Sequence, residues 1–171
     1  MWESMSKDMT EQELRKRRCC FTGHRPEKLG VSELKAKALL RTAVEQAVTD
    51  GFVTFISGMA RGIDAWAAEI VLEIRKGNAD IHLICASPYD GFEKRWSYTE
   101  QKRYCDILSQ ADLVRFVCRH YSRSCFQIRN EWMIDHSAMV IAAFNGESGE
   151  TKNTISYANR IGVYVYNVLN I

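Results

Sequence analysis

The chain has 171 residues, 46% hydrophobic and 26% charged, with only two prolines, a composition that excludes a disordered, collagenous or low-complexity protein. At about 150 residues per domain this length predicts one globular unit, able to bury roughly 70% of its unfolded surface. Twenty-three Lys and Arg against twenty-one Asp and Glu leave a formal charge of +2, so any site attracting nucleic acid or an anionic membrane has to be local.

No stretch approaches the roughly 18 consecutive apolar residues of a membrane span, and the first residues lack the apolar core of a secretory signal. The expectation is a cytoplasmic protein with no membrane partner. Six cysteines (Cys19, Cys20, Cys85, Cys105, Cys118 and Cys125) are scattered without a C-x-x-C pair, which predicts reduced thiols and no metal site.

Residues 1–18 mix charges and end in Arg15, Lys16, Arg17 and Arg18, which reads as a basic N-terminal tail or at most a short exposed helix. A single domain is expected over residues 19–171. A short apolar strand at residues 19–22 meets Gly23-His24-Arg25-Pro26, where Gly and Pro punctuate a turn into a loop. From Ser32, a candidate N-cap, Ala36, Leu40, Ala43, Val44 and Ala47 recur at helical spacing until Asp50-Gly51 supplies a stop. Residues 52–56 form a second apolar strand, followed by a glycine turn and a helix through Ile63, Trp66, Ala67, Ile70 and Val71. Residues 81–86, 113–117, 139–144 and 163–166 read as four further strands with helical segments between them. Strands that are continuous apolar runs and alternate with helices predict a three-layer α/β, Rossmann-like fold with a mainly parallel sheet.

In such a sheet ligands gather beyond the carboxyl ends of the strands, at helix N-termini. Four loops there carry the relevant chemistry. Ser57-Gly58-Met59-Ala60-Arg61-Gly62-Ile63-Asp64 offers a tight glycine turn, free amides and an arginine, which suits either a phosphate or a packing turn. The stretch from Asn145 through Gly149, Glu150 and Thr151 opens a helix in the same way, as an anion site or as a capped helix start. Thr22, Gly23, His24 and Arg25 follow the first strand, and Arg129-Asn130 precedes the helix leading to Met139. Trp96 and Tyr98 can stack on a base or fill the core. Arg115, Arg119, Arg123 and Arg129 are interleaved with Phe116, Tyr121 and Phe126, a pattern that could follow single-stranded nucleic acid or form a solvated face.

Thr22-Gly23-His24-Arg25-Pro26, then Ser57-Gly58-Met59-Ala60-Arg61-Gly62-Ile63-Asp64, then Pro88-Tyr89 with Trp96, then Arg129-Asn130-x-x-Met133, occur in that order. In these motifs the chain resembles the YpsA-like family of the SLOG superfamily, which also holds the DNA-processing protein DprA (Smf) and the LOG phosphoribohydrolases. The resemblance spans residues 19–168. It implies a Rossmann-like domain that binds a nucleotide or nucleotide-derived ligand and requires no further cofactor. DprA-like relatives share the Ser-Gly-x-Ala-Arg-Gly-Ile-Asp loop and the Arg-Asn segment. LOG enzymes cleave an N-glycosidic bond with a glutamate of a Pro-Gly-Gly-x-Gly-Thr-x-x-Glu motif, and here that position is Thr154.

The leading expectation is a nucleotide-binding or nucleotide-sensing protein whose ligand meets Thr22, Gly23, His24, Arg25, Ser57, Gly58, Arg61, Gly62, Asp64, Arg129, Asn130, Gly149 and Thr151. Arg25, Arg61 and Arg129 would neutralise phosphate. Two alternatives stay open: an N-glycosidase using Glu150, Glu147 or Asp64, and a DprA-like module for single-stranded nucleic acid. Association of related SLOG proteins implies a homodimer.

Overall fold

The computed structural model describes residues 9–169. The apolar run at residues 19–22 becomes the central strand, β1 (Arg18–Gly23), and its side chains alternate between two cores. Cys19 and Phe21 join Phe55, Leu83 and Ile141 on one face, while Cys20 joins Ile56 and Val140 on the other. Strands β2 (Thr54–Ser57), β3 (His82–Ser87), β4 (Leu113–Phe116), β5 (Met139–Ala143) and β6 (Tyr164–Asn167) complete the sheet. All pairings are parallel, in the order β4-β3-β2-β1-β5-β6. Cys19 stands opposite Phe55 of β2 and Met139 of β5.

Helices α2 (Glu33–Thr49), α3 (Ile63–Gly77) and α4 (Tyr98–Gln110) form the layer on the Phe21 face, and α5 (Cys125–Asp135) and α6 (Glu150–Arg160) form the layer on the other. Ser32 caps α2, its side chain accepting from the Lys35 amide at 3.2 Å. The chain is therefore a three-layer α/β Rossmann-like fold. Among the described residues no helix is long and apolar enough to cross a membrane.

Three details differ from the sequence reading. Thr10 and Glu13 form a reciprocal capping box for a short helix, α1 (Glu11–Arg15), and Arg18 already belongs to β1. Arg15 donates to the Ser137 carbonyl at 3.1 Å and Arg18 pairs with Glu11 at 2.5 Å, so the end of the expected tail is fastened to the sheet. Residues 1–8 of that tail lie outside the described residues. Four strands also run one residue past their apolar stretches, ending in Gly23, Ser57, Ser87 and Asn167, because ladder pairing uses backbone groups whatever the side chain, while β4 and β5 end one residue short of theirs. Finally, Arg129 and Asn130 do not precede a helix; they sit inside α5, on its buried side.

The strand order fixes where a ligand can enter. From β1 the chain moves outward to β4, then returns to place β5 on the other side of β1. The connections leaving β1 and β5 diverge at this reversal, which opens a crevice at the carboxyl ends of the strands.

Candidate functional site

The loop after β2 is built around buried polar groups. Ser57 Oγ donates to the Asp64 carbonyl at 2.8 Å and accepts from the Met59 amide at 3.2 Å. Met59 takes a left-handed φ of 64°, unusual for a residue other than glycine. Its neighbour Ala60 donates its amide to Asp64 Oδ2 at 3.2 Å. Gly58 is squeezed between charges: a Cβ there would lie 2.9 Å from both Arg129 Nη1 and Asp64 Oδ2. Arg129 Nη1 donates to the Gly58 carbonyl, and its Nε donates to Asn130 Oδ1 at 2.7 Å.

Burial pushes the Asp64 carboxyl up to about 6, against the pull of the Arg129 charge. Burial likewise lowers the Arg129 guanidinium, with Asp64 opposing that shift. Ser57, Gly58, Asp64, Arg129 and Asn130 thus make an internal frame. Arg129 reaches the cleft as part of its floor, but two of its donors are already engaged by protein.

Two glycines bring the loop after β1 against the start of α3. A Cβ on Gly23 would fall 2.6 Å from Ile63 Cγ1, and one on Gly62 would fall 2.7 Å from Pro26 Cδ, where φ is also +85°. This close approach sets Arg25 and Arg61, both exposed, beside a cleft of about 360 Å³. Phe92, Trp96 and Phe126 supply an aromatic wall, with ring centroids 4.9 Å apart for Phe92 and Trp96 and 5.7 Å for Phe92 and Phe126. Trp96 rests edge-on against Tyr104, whose hydroxyl hydrogen-bonds Ser87 Oγ at 2.8 Å. The Arg61 guanidinium lies over the Trp96 ring at 5.9 Å. Glu27, Glu33, Glu100 and Glu150 also face the cleft.

Of the residues expected to surround a ligand, Gly23, Arg25, Arg61, Gly62 and Arg129 line this cleft, as does Glu150, the carboxylate of the N-glycosidase alternative. Thr22, His24, Ser57, Gly58, Asp64, Asn130, Gly149 and Thr151 do not. His24 is 6% exposed, packs its ring on Phe144 at 5.3 Å, and is held below the usual histidine range by burial. Gly149 caps α6 with φ 143°, and Thr151 is buried in the first turn of that helix. Asn145 ties this loop to the one after β1, donating to the Lys28 carbonyl at 2.6 Å. Thr154 is buried and its hydroxyl donates to the Glu150 carbonyl at 2.9 Å, so the position of the LOG glutamate closes a helical turn.

Sequence reasoning missed Glu33, Trp66, Phe92, Glu100 and Arg103 as cleft residues. Glu33 and Glu100 occupy the first turns of α2 and α4, where an acidic residue already has a helix-start explanation. The basic segment from Arg115 to Arg129 does not present one strip. Arg115 lies over Trp132 of α5 at 5.8 Å, and Arg129 is buried. A second, larger groove of about 570 Å³ runs between α3 and α4, with Ile70 and Ile107 in its floor and ion pairs such as Lys102 with Asp106 on its rim.

The model of the YspA SLOG family (YpsA) matches residues 19–164. The chain belongs to this family. It is 31% identical over 140 residues to the SPbeta prophage-derived protein YoqJ of Bacillus subtilis (strain 168), covering 74% of this chain and 82% of that protein. It is 29% identical over 140 residues to a UPF0398 protein of Ligilactobacillus salivarius (strain UCC118), covering 77% and 76% of the two chains. Among solved structures it is similar to DNA processing protein A (DprA) of Streptococcus pneumoniae, with a TM-score of 0.64 at 19% identity. That likeness covers 90% of this chain and 50% of DprA, and it concerns the fold.

Proposed function

We propose that this SLOG-family chain binds a nucleotide or nucleotide derivative in the cleft at the carboxyl ends of β1 and β2. The observation carrying this reading is the pairing of Arg25 and Arg61, neither in an ion pair among the described residues, with the wall of Phe92, Trp96 and Phe126. Two guanidinium groups outside ion pairs fit a phosphate, and a wall of aromatic rings fits a base. The loop frame built by Asp64, Arg129 and Gly58 holds Arg61 at the mouth without using those buried charges on the ligand.

A thermal-shift screen against AMP, ADP, ATP, NAD, ADP-ribose and cyclic dinucleotides tests the reading. At a concentration 100 times its dissociation constant a true ligand adds about 2.7 kcal/mol to stability. A shift with at least one of these, reduced in Arg61→Ala, supports binding in this cleft; no shift with any of them opposes it.

Hydrolysis of an N-glycosidic bond is the second reading, and the observation favouring it is that Glu150 lines the cleft. Release of free base from a nucleotide, abolished in Glu150→Gln, supports that reading.

A further inference from the structure

The two faces of the sheet are covered unequally. Helices α2, α3 and α4 cover the Phe21 face, whereas on the opposite face α5 packs on β1 and β3, and α6 on β1, β5 and β6. Strand β4 stands at the end of the strand order and pairs only with β3, so its outer row of backbone N–H and C=O groups has no strand beside it. Its side chains alternate between the faces. Val114 packs on the Phe21 core, while Leu113, Arg115 and, just past the strand, Val117 point to the α5 side. There Val117 joins the second core and the Arg115 guanidinium lies over the Trp132 ring at 5.8 Å. Leu113 is nevertheless 50% exposed, and Ile128, one helical turn before Trp132 on α5, is 43% exposed. The edge therefore carries an apolar strip that no helix covers.

Charge decides what fits this edge. From Leu113 to Asn130 the chain has no acidic residue, but it carries Arg115, Arg119 and Arg123, all exposed and none in an ion pair among the described residues. The acidic residues on either side of this stretch are committed elsewhere. Asp112 pairs with Arg75 at 2.9 Å and accepts from the Leu83 amide at 2.8 Å. Glu131 and Asp135 lie toward Tyr157 of α6, whose hydroxyl donates to Asp135 at 2.6 Å. A second copy of the chain pairing edge to edge would set arginines against arginines. Single-stranded nucleic acid needs open ring faces, yet Trp132 already stacks with His136 at 4.2 Å, and Tyr121 meets Tyr89 and Phe126 edge-on. An acidic strand satisfies the charges, the apolar strip and the backbone row together.

We infer that β4 is a docking edge for an extended acidic segment of a partner protein, which adds as a further strand beside it. Backbone hydrogen bonds along β4 supply affinity, and side chains supply selection. A carboxylate of the segment meets Arg115, and an apolar side chain two residues away meets Leu113 and Ile128 on the same face. Arg119 and Arg123, on the loop that follows, extend the positive field that draws the segment in.

Selection from a random peptide library displayed on phage, with the full chain as bait, tests the inference. Enriched peptides should share an Asp or Glu two residues from an aliphatic or aromatic residue. The leading peptide, carrying a fluorescent label, should bind in an anisotropy titration and weaken as salt rises. Arg115→Glu should cost it about fivefold or more in affinity, while Arg115→Lys keeps most of the binding. Methylating alternate backbone nitrogens of the peptide should abolish binding, a loss that a purely electrostatic contact would not show. Bound peptide should also slow amide hydrogen exchange at residues 113–116. Circular-dichroism melts of both variants verify folding. Enriched peptides without the acidic spacing, full affinity in Arg115→Glu, binding that survives methylation, or no enrichment at all would each overturn the inference. A labelled oligonucleotide that displaces the peptide and is itself weakened by Arg115→Glu overturns it as well, and makes this edge a nucleic-acid interface.

Discussion

Arg129 on α5 donates from Nη1 to the backbone carbonyl of Gly58, 71 residues earlier in the chain on the loop after β2. This bond joins the helix layer on one side of the sheet to the loop that presents Arg61, and it explains why a charged residue is buried there. Its partner charge, Asp64, stands at the start of α3 and accepts from the Ala60 amide. The loop therefore closes between two buried opposite charges that attract each other, and the cleft inherits a fixed mouth.

Arg129→Ala removes the counter-charge of a buried carboxylate and leaves the Gly58 carbonyl without its donor. The expected loss is about 3 to 5 kcal/mol of unfolding free energy by urea denaturation at pH 7. Asp64 already titrates in the fold at about 6, well above its ordinary 3.8, because burial favours the neutral acid. Its contribution is therefore most favourable at low pH and is lost as pH rises through that interval. Without Arg129 the folded value climbs further, so the variant's deficit should be smaller at pH 5 than at pH 8. An equal deficit at both would contradict the coupling.

His24 gives the opposite slope. Burial holds its folded pKa below the usual 6.5, so the unfolded chain takes up a proton first, and stability present above that pH is lost as pH falls through the folded value. His24→Phe can still pack on Phe144 but cannot titrate. Relative to the parent protein it should gain melting temperature as the buffer moves from pH 7.5 to pH 5.5. A constant difference between the two proteins would show that His24 is not the titrating group.

Glycine substitutions separate backbone strain from steric contact. Gly146→Ala meets a φ of +95° but open space, and should cost about 1 to 2 kcal/mol. Gly62→Ala meets a φ of +85° and the Pro26 ring at 2.7 Å, and should cost about 2 to 5 kcal/mol while also disturbing the cleft. Chemical denaturation ranks the two; the reverse order would refute the tight docking of the β1 loop on α3.

Much of this architecture was legible in the sequence, for identifiable reasons. The apolar runs at residues 19–22 and 139–143 lie in strands covered on both faces, and Ser32 and Gly51 punctuate α2 by ordinary capping and turn chemistry. The site was only half legible. Gly23, Arg25, Arg61 and Gly62 are legible as cleft residues because they end or follow strands, whereas nothing local shows that α5 turns Arg129 inward. Glu33, Glu100 and Arg103 come from the surfaces of separate helices, where a charged residue looks like any solvated one until tertiary packing brings it to the cleft. Phe92 carried no periodic signal, since it lies in a turn segment outside the regular elements.

The central claim, that the cleft beside Arg61 and Trp96 is the nucleotide site, is tested most directly by indole N–H resonances in a titration of AMP, GMP, CMP and UMP into the 15N-labelled protein. Trp66 and Trp96 line the cleft, whereas Trp132 packs against the other core and serves as an internal control. The account predicts saturable shifts of the Trp96 resonance, and smaller ones of Trp66, with at least one of the four, while Trp132 stays in place. Movement of Trp132 without Trp96, or no movement with any of them, would contradict it.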